Sequence, residues 1–177
     1  MGHVFWMTGL SGAGKTSLAC GASQVLKTAG YEAIVLDGDV MRRGLCADLG
    51  FSAEDREENN RRCAEVAKLL AQNTNLICLC AFISPLEKLR TTVKNIIGSE
   101  LLKIIFVDCS LAVCMKRDPK GNYRKVKAGI IKEYTGVGAP FEVPATPDFR
   151  LQTDQESLED SIEKLVAYIL KIVKRKS

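Results

Sequence analysis

The chain has 177 residues, 46% of them hydrophobic, which suits a single globular domain over 1–177 with a real core and is too short for a two-domain motor. Its formal charge of +4 comes from 25 basic and 21 acidic residues interspersed along most of the chain, too mild an excess to point to nucleic acid. The single histidine, His3, excludes histidine-based acid–base chemistry and multi-histidine metal sites, while seven cysteines without a C-x-x-C pair read as reduced core thiols. No signal-like segment or apolar run of transmembrane length is present, which reads as a cytoplasmic protein with no membrane partner.

The first apolar run, Val4–Met7, predicts a strand. Directly behind it, Gly9-Leu10-Ser11-Gly12-Ala13-Gly14-Lys15-Thr16 matches G-x-x-x-x-G-K-[ST], a phosphate-binding loop. Its glycines let successive backbone N–H groups turn inward to phosphate oxygens, Lys15 neutralises the terminal phosphates, and Thr16 offers a hydroxyl to Mg²⁺. A helix over Lys15–Thr28 adds its positive N-terminus. A nucleoside triphosphate with Mg²⁺ is the ligand this segment implies.

Further strands are predicted near Ala33–Leu36, Leu76–Cys80, Ile104–Val107 and Phe149–Leu151. Helices are predicted near Glu54–Gln72, Glu87–Ile97, Ala112–Arg117 and Leu158–Val173, the first of these opened by a Ser52/Asp55 capping box. The alternation predicts an α/β fold with a five-stranded parallel sheet and helices on both faces. Cys78 and Cys80, two apart in one strand, share a face and read as packing residues. The closing cations Lys171, Lys174, Arg175 and Lys176 read as a solvated helix end.

In an open α/β sheet, ligands sit beyond the carboxyl ends of the strands, so the residues after each apolar run matter most. After the second run comes Asp37-Gly38-Asp39, after the third Ile83-Ser84-Pro85, and after the fourth Asp108. Asp37 and Asp39, facing a Mg-triphosphate, can share the work of holding the metal's waters and orienting an acceptor hydroxyl. The polar series from Arg42 to Arg62 reads equally as a solvated, salt-bridged face, although Arg56, Asn59 and Cys63 at i, i+3, i+7 share one side of a helix. The Pro- and Gly-rich stretch 118–147, with Lys120, Arg124, Lys125, Lys127 and Lys132, predicts a mobile basic lid over the phosphates.

With these blocks in one order, the chain resembles the adenylylsulfate kinases, P-loop kinases of small molecules. The resemblance rests on Gly9–Thr16, Leu36-Asp-Gly-Asp39 with Arg42, Leu49-Gly-Phe51-Ser52 with Glu54-Asp-Arg56 and Glu58-Asn59, Phe82-Ile-Ser-Pro85, Val107-Asp108, Arg117-Asp-Pro-Lys-Gly121, Thr135-Gly136 and Phe141-Glu142. It implies a P-loop NTPase three-layer sandwich, ATP as donor, a small-molecule nucleotide acceptor, no nucleic acid partner and a homodimer. It also implies transfer of the γ-phosphoryl of ATP to the 3′-hydroxyl of adenosine 5′-phosphosulfate, giving 3′-phosphoadenylyl sulfate and ADP.

By the same resemblance, Arg42, Arg56 and Asn59 hold the phosphosulfate and ribose, while Phe51 and Phe141 sandwich the acceptor's adenine. Ile83, Ser84 and Tyr134 line its pocket, and Lys120 closes over the transferring phosphate. Asp39 is expected to orient the attacking hydroxyl and Asp37 to lie nearer the metal with Thr16, with Lys15, Asp37, Asp39, Ser84 and Lys120 as the catalytic set. Ser84 is the residue the family links to a phosphoserine label, yet with no activating base beside it in the sequence, direct in-line transfer is expected. Val40, Leu86 and Glu133-Tyr134 depart from the family's usual Asn, Tyr and Gly-Phe. These departures leave open another nucleotide-conjugate acceptor, such as cytidine diphosphoramidate in capsule synthesis. Asp118-Pro119-Lys120-Gly121 also spells the D-x-x-G of GTPases, but it follows a helix and no N-K-x-D sequence accompanies it.

Overall fold

The computed structural model describes residues 1–72 and 74–173; the terminal cations Lys174, Arg175 and Lys176 lie outside the described residues. Five strands, β1 (His3–Thr8), β2 (Ala33–Asp37), β3 (Ile77–Ala81), β4 (Leu102–Asp108) and β5 (Phe149–Gln152), form one parallel sheet in the order β2-β3-β1-β4-β5. β1 lies centrally and is buried along its whole length, with Met7 level with Ala81 of β3 and Thr8 level with Phe106 of β4. The expected α/β sheet is therefore present, each predicted strand matching an observed one to within two residues at either end.

Helices α1 (Lys15–Thr28) and α7 (Leu158–Val173) cover one face, and α3 (Ala53–Gln72) and α4 (Glu87–Ile97) take part in the core of the other. The alternation of β1 feeds both layers: Phe5 and Met7 join Leu18, Leu26, Leu165 and Ile169, while Val4 and Trp6 join Cys63, Ala67, Val93 and Ile97. Small residues set the helix approach. A Cβ on Gly21 would lie 2.3 Å from Cδ1 of Ile162, so a larger residue there would push the Ile162 side chain of α7 aside.

The capping box forms as read, with the Asp55 N–H donating to Ser52 Oγ at 3.1 Å and the Ser52 N–H to Asp55 Oδ2 at 3.4 Å. Three short helices complete the chain: α2 (Gly38–Met41), α5 (Leu111–Arg117) and α6 (Asn122–Lys127). Of these, α2 is not among the predicted helices and α6 lies in the stretch read as a lid. The segment 118–147 is thus partly helical, and it is anchored, because Tyr123 is buried and its hydroxyl donates to the Ser11 carbonyl at 3.0 Å.

Six of the seven cysteines are buried and all seven are free thiols; Cys20 alone is exposed. Burial pushes the Cys78 thiol up to about 11 and, with Cys109 beside it, the Cys114 thiol up to about 12, while Cys63 and Cys80 also rise. Such thiols stay protonated and act as small hydrophobes. No helix among the described residues is long and apolar enough to cross a membrane.

Trp6 is the bulkiest fully buried side chain, stacked on Phe82 at 4.5 Å between ring centroids, with its indole N–H donating to Ser84 Oγ at 2.9 Å. Trp6→Ala is expected to destabilise the fold by about 3–5 kcal/mol, read as a lowered denaturant midpoint. Trp6→Phe, which keeps the aromatic stack but drops the donor, should lose roughly 1–2 kcal/mol.

Candidate active site

The carboxyl ends of β1, β2 and β3 meet at one edge of the sheet, and the loops leaving them form the site. Gly9 passes so close to β4 that a Cβ there would lie 2.4 Å from the Val107 carbonyl oxygen, and Gly12 and Gly14 take φ of 79° and 102°. The loop thereby turns back to start α1 at Lys15. It is supported from behind: Thr153 Oγ1 donates to the Ala13 carbonyl at 2.7 Å, and Arg117 donates to the Gly12 carbonyl at 3.3 Å.

Lys15 is almost fully buried, and its ammonium donates to the carbonyls of Gly9 at 2.9 Å and Leu10 at 2.7 Å. Burial, reinforced by the charge of Lys120, brings its pKa down to about 8. Next to it, the Thr16 hydroxyl donates to Asp37 Oδ2 at 2.7 Å. The other oxygen of Asp37 accepts the N–H groups of Asp39 at 2.9 Å and Val40 at 3.4 Å, so this carboxylate also caps α2. Across the opening, Lys120 forms an ion pair with Asp39.

Lys120 is held there by Asp118, a non-glycine residue at φ 28° that closes α5. Its two carboxylate oxygens accept the N–H groups of Tyr123 at 3.0 Å and Arg124 at 3.1 Å, opening α6. The D-x-x-G lookalike is therefore a helix-to-helix corner.

Of the residues expected to bind the acceptor, contacts join Arg42, Phe51 and Arg56 to one another. Arg42 lies over the ring of Phe51 at 4.5 Å and donates to the Gly50 carbonyl at 2.7 Å. Arg56 donates to the Phe51 carbonyl and to Thr135 Oγ1, each at 2.9 Å, joining α3 to the lid. Asn59 is buried with its carboxamide oxygen unpartnered among the described residues, an acceptor left for a ligand's donor. Phe51 is 71% exposed, a large aromatic face presented to solvent. Phe141 stacks on Phe106 at 6.2 Å, and with Leu10 and Val143 the pair lines a small apolar cavity.

Two expected positions differ in character from the rest. Ser84 is buried at φ 39°, accepting from Trp6 and donating its own proton to Asn60 Oδ1 at 2.6 Å, so its hydroxyl is fully engaged. The Tyr134 ring sits edge-on against Tyr123 at 5.1 Å, and its hydroxyl accepts from Asn122 at 3.2 Å. Among the departures, Val40 is 55% exposed on α2, Leu86 precedes α4 in extended conformation, and Glu133 is exposed on the lid. Sequence reading gave no role to Asn60, or to Asp118 and Tyr123, although the last two fall in or beside a stretch that carries the resemblance.

Residues 1–152 match the adenylylsulphate kinase family profile. The chain belongs to the adenylylsulphate kinase family. It is 49% identical over 168 residues to an adenylyl-sulfate kinase of Halothermothrix orenii, covering 95% of this chain and 89% of that one. It is 45% identical over 166 residues to an adenylyl-sulfate kinase of Marinobacter nauticus, covering 94% and 83%. Among solved structures, the Mycobacterium tuberculosis APS kinase CysC in complex with AMPPNP and APS superposes with a TM-score of 0.90 at 40% identity, covering 96% of this chain and 98% of that one.

For a family member that handles phosphates, the depressed pKa of Lys15 has a definite sign. Below about 8 the ammonium is charged in the free protein; above it, bound phosphate must restore the charge by proton uptake. The dissociation constant of a non-hydrolysable nucleoside triphosphate analogue should therefore rise with pH from about 8 towards 10.5, by up to roughly tenfold per pH unit. Isothermal calorimetry across that range checks it, and a flat profile would show that Lys15 does not carry the phosphate contact.

Proposed function

We propose that this chain is an adenylylsulfate kinase, moving the γ-phosphoryl of ATP to the 3′-hydroxyl of adenosine 5′-phosphosulfate and releasing 3′-phosphoadenylyl sulfate and ADP. The observation that carries the reading is the pair Asp37 and Asp39 at the start of α2. One contacts the phosphate loop through Thr16, and the other faces the lid lysine Lys120, with Arg42 following on the same turn.

In this mechanism the inward-turned backbone of residues 9–16 and the Lys15 ammonium bind the β- and γ-phosphates. Thr16 and Asp37 present a hydroxyl and a carboxylate 2.7 Å apart, hard oxygens suited to Mg²⁺. When bound, Mg²⁺ would neutralise charge on the phosphate oxygens.

Arg42 and Arg56 offer always-charged forks to the phosphosulfate, and Asn59 offers its unpartnered oxygen to a ribose hydroxyl. Phe51 and Phe141 supply aromatic faces for the adenine. The Asp39 carboxylate accepts a hydrogen bond from the 3′-hydroxyl and then its proton, as that oxygen bonds to phosphorus and the bond to the β-phosphate oxygen breaks. Lys120 moves from Asp39 to the transferring phosphoryl. Ser84 takes a supporting role, since its oxygen is committed to Asn60 and Trp6 and no base lies ready to activate it. A homodimer and a cytoplasmic setting complete the proposal.

The test is a coupled ADP-release assay offering ATP with adenosine 5′-phosphosulfate beside other nucleotide conjugates, cytidine diphosphoramidate among them. Turnover with the adenylyl compound is expected, and turnover of the cytidine compound alone would overturn the reading. Lys15→Ala should lower kcat/KM by roughly a hundredfold or more while the protein remains folded. Phe141→Ala should raise the acceptor's KM by about tenfold and leave that of ATP nearly unchanged; equal shifts in both would argue against base stacking.

A further inference from the structure

The most deeply buried arginine in the described chain touches none of the groups just assigned to substrates. Arg90, on α4, is 2% exposed, yet its guanidinium reaches three places at once. It donates to the Ser84 carbonyl at 2.9 Å, to the Glu142 carbonyl at 2.8 Å, and through Nε and Nη2 to the Glu87 carboxylate at 3.0 and 2.7 Å. The same two segments are tied twice more. The Glu142 N–H donates to the Pro85 carbonyl at 2.8 Å, and the Glu142 carboxylate accepts the Glu87 N–H at 2.6 Å, capping α4 where Leu86 has no side chain to do so.

We propose that Arg90 is a positioning residue for the phosphoryl acceptor, stapling the segment that carries Phe141 onto the 83–85 wall and fixing the aromatic face against which the acceptor's base rests. The proposal rests on the acceptor assignment above. Its physical basis is the fork. An arginine can bridge two carbonyls and a carboxylate in one plane, whereas a lysine ammonium on a thinner stem meets one of them well. The carboxylate half of the pair, Glu87, is 59% exposed, so the ion pair by itself adds little to stability. Here it joins residue 84 to residue 142, two backbone sites far apart in sequence and each next to an acceptor-facing residue.

The experiment uses Arg90→Lys, Glu142→Ala and each combined with Phe141→Ala, all in the full chain. Arg90→Lys should raise the acceptor's KM by about tenfold, keep the ATP KM within about twofold of the parent, and leave kcat at saturating acceptor near the parent value. In the Phe141→Ala background the same substitution should add almost nothing, because the residue through which it acts is gone. Additive effects, or equal increases in both KM values, would overturn the proposal. Glu142 is exposed, so Glu142→Ala loosens the same segment without opening the core. It should raise the acceptor's KM several-fold with a melting temperature close to the parent's, and an unchanged acceptor KM would count against the staple even where Arg90→Lys fails to fold. Parent turnover of adenosine 5′-phosphosulfate decides the acceptor's identity. The KM split, measured with the panel acceptor that the parent turns over, decides Arg90.

Discussion

The carboxylate of Asp37 is the constraint around which the site is arranged. One oxygen accepts the Thr16 hydroxyl at the start of α1, and the other accepts the N–H groups of Asp39 and Val40 that open α2. A single side chain at the end of β2 thus sets α1 and α2 relative to each other. Its parallel register with β3 brings Asp37 level with Ala81, just before the 83–85 wall. Because helix N-termini leave orphan N–H groups, the cap on α2 has a partner-satisfying role whether or not nucleotide is bound. Losing the carboxylate would release α2 as well as the hydroxyl of Thr16.

The lid is tied to this frame at both ends of the site. Tyr123 bonds the phosphate loop through Ser11, and Thr135 bonds α3 through Arg56. Between them Tyr134 rests on Tyr123, so the stretch 123–135 folds on itself as well as on the domain. Lys120 projects from the corner made by Asp118, whose left-handed backbone is held by two N–H donors from α6. A strained residue kept in place by several bonds places the lysine more firmly than a free loop would.

Much of this was legible in the sequence, and the part that was not has physical causes. Short apolar runs marked all five strands, and the loop pattern located Lys15 and Thr16 without any tertiary knowledge. α2 escaped because Asp-Gly-Asp is as much a turn signal as a cap; four residues carry no periodicity. α6 escaped because its start is capped by Asp118 from four residues ahead of it, outside the usual cap spacing. Ser84 read as a site residue from its place after β3, yet its hydroxyl turns to Trp6 and Asn60, which only the packed core reveals. Arg90 showed no signal, since an arginine four residues into an amphipathic helix reads as solvated surface until the returning chain at 142 covers it.

The two lysines near the phosphates differ in burial, and that difference divides their work. Lys15 is enclosed and held by two loop carbonyls, so its position is fixed, and the cost of enclosing it appears as the lowered pKa. Lys120 and Asp39 are about half exposed, and a solvent-screened pair of that kind is worth little. Under the proposed mechanism, exchange of Lys120 from Asp39 to a phosphate oxygen would therefore cost little. The same exchange would bare the Asp39 carboxylate to the hydroxyl it is proposed to orient. Because Lys120 lowers the pKa of Lys15, a dianionic group arriving between them relieves their repulsion and favours the charged form of both. In the proposed mechanism the closed ion pair is thus a resting partner for the base and the clamp alike, and substrate entry would separate them.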